Sequence, residues 1–204
     1  MKKLILILLT VPALFIATSC GENSKMKLEG DQSPYGEVGT RFSGTFEGGS
    51  NFNLTVTSLD NGVSTLEGTF TMTDPRYKKI LQSLPKYCEV DGDKVTIHDI
   101  KFKATTDGIE NCTGLHKDVI LKYDAKVGDT FDNGGKVTHV SKEKDNDFDW
   151  NGRNIRAVQV EKKKSGKIDG VKKITYWGNH RFGLVAVETE FDDGTSDRAF
   201  ISIF

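Results

Sequence analysis

The chain has 204 residues with 28 basic and 29 acidic side chains, a formal net charge of −1. That balance, with no concentrated basic footprint, argues against a nucleic-acid partner, and the length suits one substantial domain. Glycine (21) and phenylalanine (12) are plentiful and proline is scarce (4), a composition suited to strands joined by tight turns.

Met1-Lys2-Lys3 is a short basic start, Leu4–Ile16 is an uncharged apolar run, and Ala17-Thr18-Ser19 are small residues followed by Cys20. The apolar run is shorter than the ~20 residues that a helix needs to cross a bilayer. It has no polar face at helical period, so it is not a core helix either. The layout is that of a secretory signal peptide. With Cys20 at the cleavage point, it resembles a bacterial lipoprotein signal whose lipobox is Ala17-Thr18-Ser19-Cys20. The resemblance implies that residues 1–19 are removed and that Cys20 carries a diacylglyceryl thioether and an acyl chain such as palmitate. Two or more chains hold a protein stably on a membrane. The expected address is the cell envelope, at the outer membrane. Loss of residues 1–19 takes away two lysines and leaves a net charge of −3.

Residues 20–38 are polar, with Gly, Ser and Pro and no apolar period, and read as the lipidated cysteine and a flexible tether. Residues 39–204 read as a single β-rich domain. Arg41–Phe46 is a short strand. Phe52, Leu54 and Val56 alternate with polar neighbours, Asp60-Asn61-Gly62 supplies a hairpin turn, and Leu66, Phe70 and Met72 line the return strand. One helix is expected at 75–84. Asp74 caps it, Pro75 suits its first position, and Tyr77, Ile80, Leu81 and Leu84 make one apolar face. Val95 and Ile97 share one parity while Ile100, Phe102 and Ala104 take the other, which predicts a bulge near His98-Asp99. Val119–Tyr123 and Lys136–Ser141 are further strands. Asn154–Lys163, Val171–Trp177, Leu184–Phe191 and Arg198–Phe204 form the final run, with Val185, Val187 and Phe191 on one face. The fold class is therefore mainly β: a curved antiparallel sheet, open barrel or sandwich with one short helix.

Val127-Gly128-Asp129-Thr130-Phe131, then Tyr176-Trp177 and Phe182-Gly183-Leu184-Val185, resemble a pattern in exported β-sheet lipoproteins of Bacteroidota. The likeness covers about residues 115–204. It implies a strongly curved sheet, loosely like that of periplasmic carriers built around an apolar cavity, and it brings no catalytic residues. Gly183 is expected at a bend, with Trp177 and Phe182 in the core.

With Cys20 claimed by lipid, Cys88 and Cys112 are an even pair in an oxidising compartment, and a disulfide is the natural reading. The sharper alternative is a metal site of Cys88, His98, Cys112 and His116, but that spacing matches no compact zinc pattern. Asp147, Asp149 and Asn151, followed by Gly152, fit the front half of a calcium loop. Position 158, where the bidentate Glu belongs, is Val158, so a polar hairpin tip at Asn151-Gly152 is the stronger reading. Lys162-Lys163-Lys164, Lys167 and Lys172-Lys173 form a basic hairpin whose commoner meaning is a solvated surface. There is no G-x-S-x-G, H-E-x-x-H or phosphate-binding loop, so the chain reads as non-enzymatic and without a cofactor. The expected function is a lipid-anchored envelope module that binds an apolar or amphipathic ligand or a partner protein. The alternative is a structural or assembly factor of an outer-membrane or surface complex.

Overall fold

The computed structural model describes residues 28–45, 52–114, 117–131, 134–142, 146–163 and 169–204. The signal segment, Cys20 and His116 lie outside the described residues. The first half contains β1 (Arg41–Thr45), β2 (Phe52–Asp60), β3 (Val63–Thr71), the helix α1 (Pro75–Gln82), β4 (Cys88–Asp91), β5 (Lys94–Ala104), β6 (Gly108–Asn111) and β7 (Asp118–Lys122). The second half contains β8 (Gly135–Val140), the short pair β9 (Phe148–Trp150) and β10 (Arg153–Ile155), then β11 (Val158–Lys163), β12 (Val171–Asn179), β13 (Gly183–Phe191) and β14 (Ser196–Ile203).

All of these strands but β9 and β10 form one antiparallel sheet. Its order is β7-β6-β5-β3-β2-β1-β14-β13-β12-β11-β8, with β4 also paired to β5. Neighbours in sequence are mostly neighbours in space, and β14 returns to pair with β1. The sheet curls into a nearly closed barrel, and its two ends are the consecutive strands β7 and β8. At this seam β7 lies against β11 and β12. Gly178 makes the approach possible, because a side-chain carbon there would lie 1.8 Å from Leu121 Cδ2. The Val127–Phe131 segment crosses the seam: Gly128 N–H donates to Val137 O at 2.9 Å, Asp129 caps the Lys126 N–H at 2.8 Å, and Phe131 is buried in the core.

Inward positions of the barrel are filled by Phe52, Leu54, Leu66, Ile97, Phe102 and Phe191 among others, all nearly inaccessible. The helix closes on this core through Tyr77, Ile80 and Leu81. The Tyr77 ring meets Phe191 edge-on at 5.2 Å, and the Arg76 guanidinium lies 3.9 Å over the same Phe191 ring. Asp74 caps the helix as expected, accepting from the Arg76 N–H at 2.8 Å. Outward positions carry Ser43, Asn53, Glu188 and Arg198. The interior is filled by apolar side chains, unlike the polar lumen of a membrane-spanning barrel.

The turn at Asn61-Gly62 is a two-residue hairpin with both residues at positive φ (49° and 76°). The bulge is present too: Asp99 sits at φ 55°, and pairing jumps from Leu66↔Ile100 to Gly68↔Ile97. Four expectations need correction. The tether does not run to residue 38, because the chain is packed on the barrel from Leu28, which is buried. The Asp107 carboxylate accepts from the N–H groups of Glu29 and Gly30, Ser33 N–H donates to Ala104 O, and Ser64 Oγ donates to Gly36 O. Each of these engages a main-chain group of residues 28–38, which composition does not register. The expected strand 154–163 is split, since Arg153–Ile155 pairs with β9 and only Val158–Lys163 joins the barrel. Val185 does not share a face with Val187, because a register shift between Trp177 and Gly178 sends Val185 to a second apolar cluster outside the barrel.

The fourth correction concerns the cysteines. Cys88 and Cys112 are both buried free thiols. Cys88 stands opposite Ile97 and the Cys112 N–H donates to Lys101 O, so they abut β5 at points four residues apart. That separation is on the order of 10 Å once the bulge is allowed for, beyond the ~7 Å Cα reach of a disulfide. Burial pushes the Cys88 thiol up to about 12 and the Cys112 thiol up to about 11.

Candidate functional site

The β9–β10 pair is a small hairpin laid on the outside of the barrel. Asn151 (φ 50°) and Gly152 (φ 85°) form its two-residue turn, and Trp150 stands directly across from Arg153. Opposed residues of an antiparallel pair share a face, so Trp150 and Arg153 both face the barrel wall. There the outward row runs Trp177, Ala186, Phe200 and Thr45 across β12, β13, β14 and β1. The small Ala186 between two aromatics leaves a trough, which the hairpin fills. Phe148 stacks on Trp177 at 5.4 Å, and Trp150 packs against Phe182 at 5.0 Å. Phe148, Ile155, Ala157, Trp177, Val185 and Ala186 form this second core.

One hydrogen bond fixes the hairpin's outer edge. Pairing of β13 with β14 ends at Ala186↔Phe200, which frees the Ile201 carbonyl on that side. Trp150 Nε1 donates to it at 3.1 Å, so a side chain stands where the next strand contact would be. At the hairpin's other end Asp147 is held by Ser141 Oγ and by His139 Nε2, the latter at 2.8 Å. Burial raises the Asp147 carboxyl, and the hydrogen bonds from Ser141 and His139 outweigh it, leaving the group below the usual carboxylate range. Ser141 Oγ also accepts from the buried Ala157 N–H at 2.8 Å, which ties the hairpin's exit to β8.

Between the tip of this hairpin and the wall lies an open cleft of about 520 Å³. Its floor is a second outward row, Ser202, Ser43 and Asn53, in register across β14, β1 and β2. Trp150 and Phe200 supply aromatic walls, and Asn151, Arg153 and Thr45 stand at the rim. Arg153 is exposed and makes no ion pair among the described residues. The cleft combines a few ring faces with hydroxyl and amide groups and one unengaged cation, and its volume is that of a small-molecule site.

The residues singled out by sequence fall elsewhere or at the edge of this cleft. Cys20 is outside the described residues. Cys88 and Cys112 lie in separate parts of the buried interior. Asp147 and Asp149 are engaged by different elements, since Asp149 Oδ1 accepts from the Gly152 N–H at 2.7 Å within its own turn. Asn151 and Gly152 form the hairpin tip, and among the described residues no three His, Cys, Asp or Glu groups are placed to hold a metal. In the basic hairpin, Lys162 is buried, Lys172 pairs with Glu190, and Lys173 pairs with Glu161 and Glu190, so those positions form no free cationic patch. Sequence reasoning missed Ser43, Asn53, Arg153, Phe200 and Ser202. Their only signal was parity, each being an outward residue on a strand, and parity does not say which strands are neighbours.

No protein-family model matches this chain, and no curated protein matches it in sequence.

Proposed function

We propose that this chain is an envelope lipoprotein, anchored through Cys20, that binds its ligand without catalysis in the outer cleft beneath the Trp150 hairpin. The observation that carries the reading is the cleft itself. Hydroxyl and amide groups from three strands meet two aromatic rings there, beside an arginine that makes no ion pair among the described residues. The barrel interior is occupied by its own side chains, which favours the outer cleft over a lumen as the ligand site. The sequence features of the first twenty residues support the anchor, and the buried free thiols offer no nucleophile.

Hydrogen exchange on the purified domain, with and without a detergent extract of total cell envelope, tests the site. Protection is expected in Phe148–Arg153 and Phe200–Ile203 with α1 unchanged. Protection confined to other elements, or none, removes the cleft from consideration. For the anchor, Cys20→Ala should abolish acyl labelling and release the protein from the membrane fraction.

A further inference from the structure

Resting on that reading of the cleft, we infer that the ligand is a glycan chain bearing a carboxylate, with a sugar ring against the aromatic wall and its acid group on Arg153. A pyranose presents an apolar C–H face and a rim of hydroxyls. Aromatic faces carry partial negative charge and attract polarised C–H groups, and Trp150 and Phe200 provide such surfaces at the cleft. The Ser202–Ser43–Asn53 floor is a row of groups that both donate and accept, the complement that sugar hydroxyls require. An apolar ligand would bury this floor without partners, at a cost for each unsatisfied group.

Arg153 decides the charge. Its planar fork matches a carboxylate in two parallel hydrogen bonds. Arg198, on the same outer wall, is already matched with Glu188 at 2.7 Å. A peptide added as an extra strand is disfavoured by the same geometry: the β14 carbonyl that would accept it, Ile201 O, is taken by Trp150. A nucleic acid would need several cations, and the cleft lining has one.

Calorimetric titration of the full domain with acidic oligosaccharides (galacturonate, alginate and hyaluronan oligomers), and with the carboxyl-reduced form of each, tests the proposal. At least one acid should bind, and its reduced form and the Arg153→Gln variant should each lose about tenfold or more in affinity. Binding should weaken with added salt, and Asn53→Ala should weaken acid and reduced forms alike. Lys79→Gln, on the helix, should change nothing. Equal binding of acid and reduced forms overturns the role of Arg153. Failure of every acidic oligosaccharide while envelope extract still protects Phe148–Arg153 overturns the glycan and leaves the cleft standing. Failure of both removes the site.

Discussion

At the scale of single residues, Asp74 shows how one side chain serves two elements. It caps α1 through the Arg76 N–H and grips the Arg76 guanidinium, which in turn lies over the Phe191 ring of β13. Burial raises the Asp74 carboxyl, but the hydrogen bonds and charge of Arg76 outweigh this and leave it lowered. A carboxyl lowered in the folded state contributes stability above its unfolded pKa, near 3.9, and that contribution is lost as pH falls through the folded value. Asp74→Ala should therefore destabilise the domain by about 1–2 kcal/mol at neutral pH. The difference from wild type should shrink in urea melts taken progressively below pH 4. The cap was legible in the sequence because Asp-Pro followed by an apolar period is a local signal. The salt-bridged stack on Phe191 was not, since 115 residues separate its partners in the chain.

At the scale of elements, the seam and the outer hairpin carry the most consequence. The seam is held by packing, with Leu121 of β7 seated over Gly178 of β12. Gly178→Ala should cost about 1–3 kcal/mol by overpacking, and combining it with Leu121→Ala should be strongly non-additive in a double-mutant cycle. Additive effects would mean that the two positions do not share the space. The β9–β10 hairpin was half legible: Asn151-Gly152 is a turn signal, but the strand after it reads as continuous to Lys163. The break follows from pairing, because Arg153–Ile155 bonds to β9 while Val158–Lys163 bonds to β12. The Val185 phase error has the same origin, a register shift that no single-strand pattern reveals.

At the scale of the whole molecule, the two thiols report on cooperative unfolding. Cys88 and Cys112 are buried within strand neighbourhoods and hold their protons strongly, so a thiol reagent can reach them only when the barrel opens. The folded domain, prepared without reductant, should resist labelling, and both thiols should label fully and at one rate in denaturant. A domain that gains no label in denaturant until it is reduced would restore the disulfide. Rapid native labelling of one thiol would mean that the strands around it open locally. The same closure draws in the segment before β1, which lies along the β5–β6 turn and is counted in the barrel's own hydrogen bonds.

Sequence alone determined the mainly β class, the capped helix that begins at Pro75, the hairpin at Asn61-Gly62 and the bulge at Asp99, and it supplied every indication of an anchor at Cys20. These are local matters, set by residues within one turn or one strand of each other. Tertiary structure decided the order of the strands, the free state of the thiols, the packing of residues 28–38 and the position of the outer cleft. Each of those depends on which strands become neighbours, and alternation with period two gives a residue's side of the sheet without naming the strand beside it. The cleft is the clearest case, since Ser43, Asn53, Trp150, Arg153 and Ser202 are brought together by the pairing of β1 with β14 and β2 and by the seating of the outer hairpin through Phe148 and Trp150.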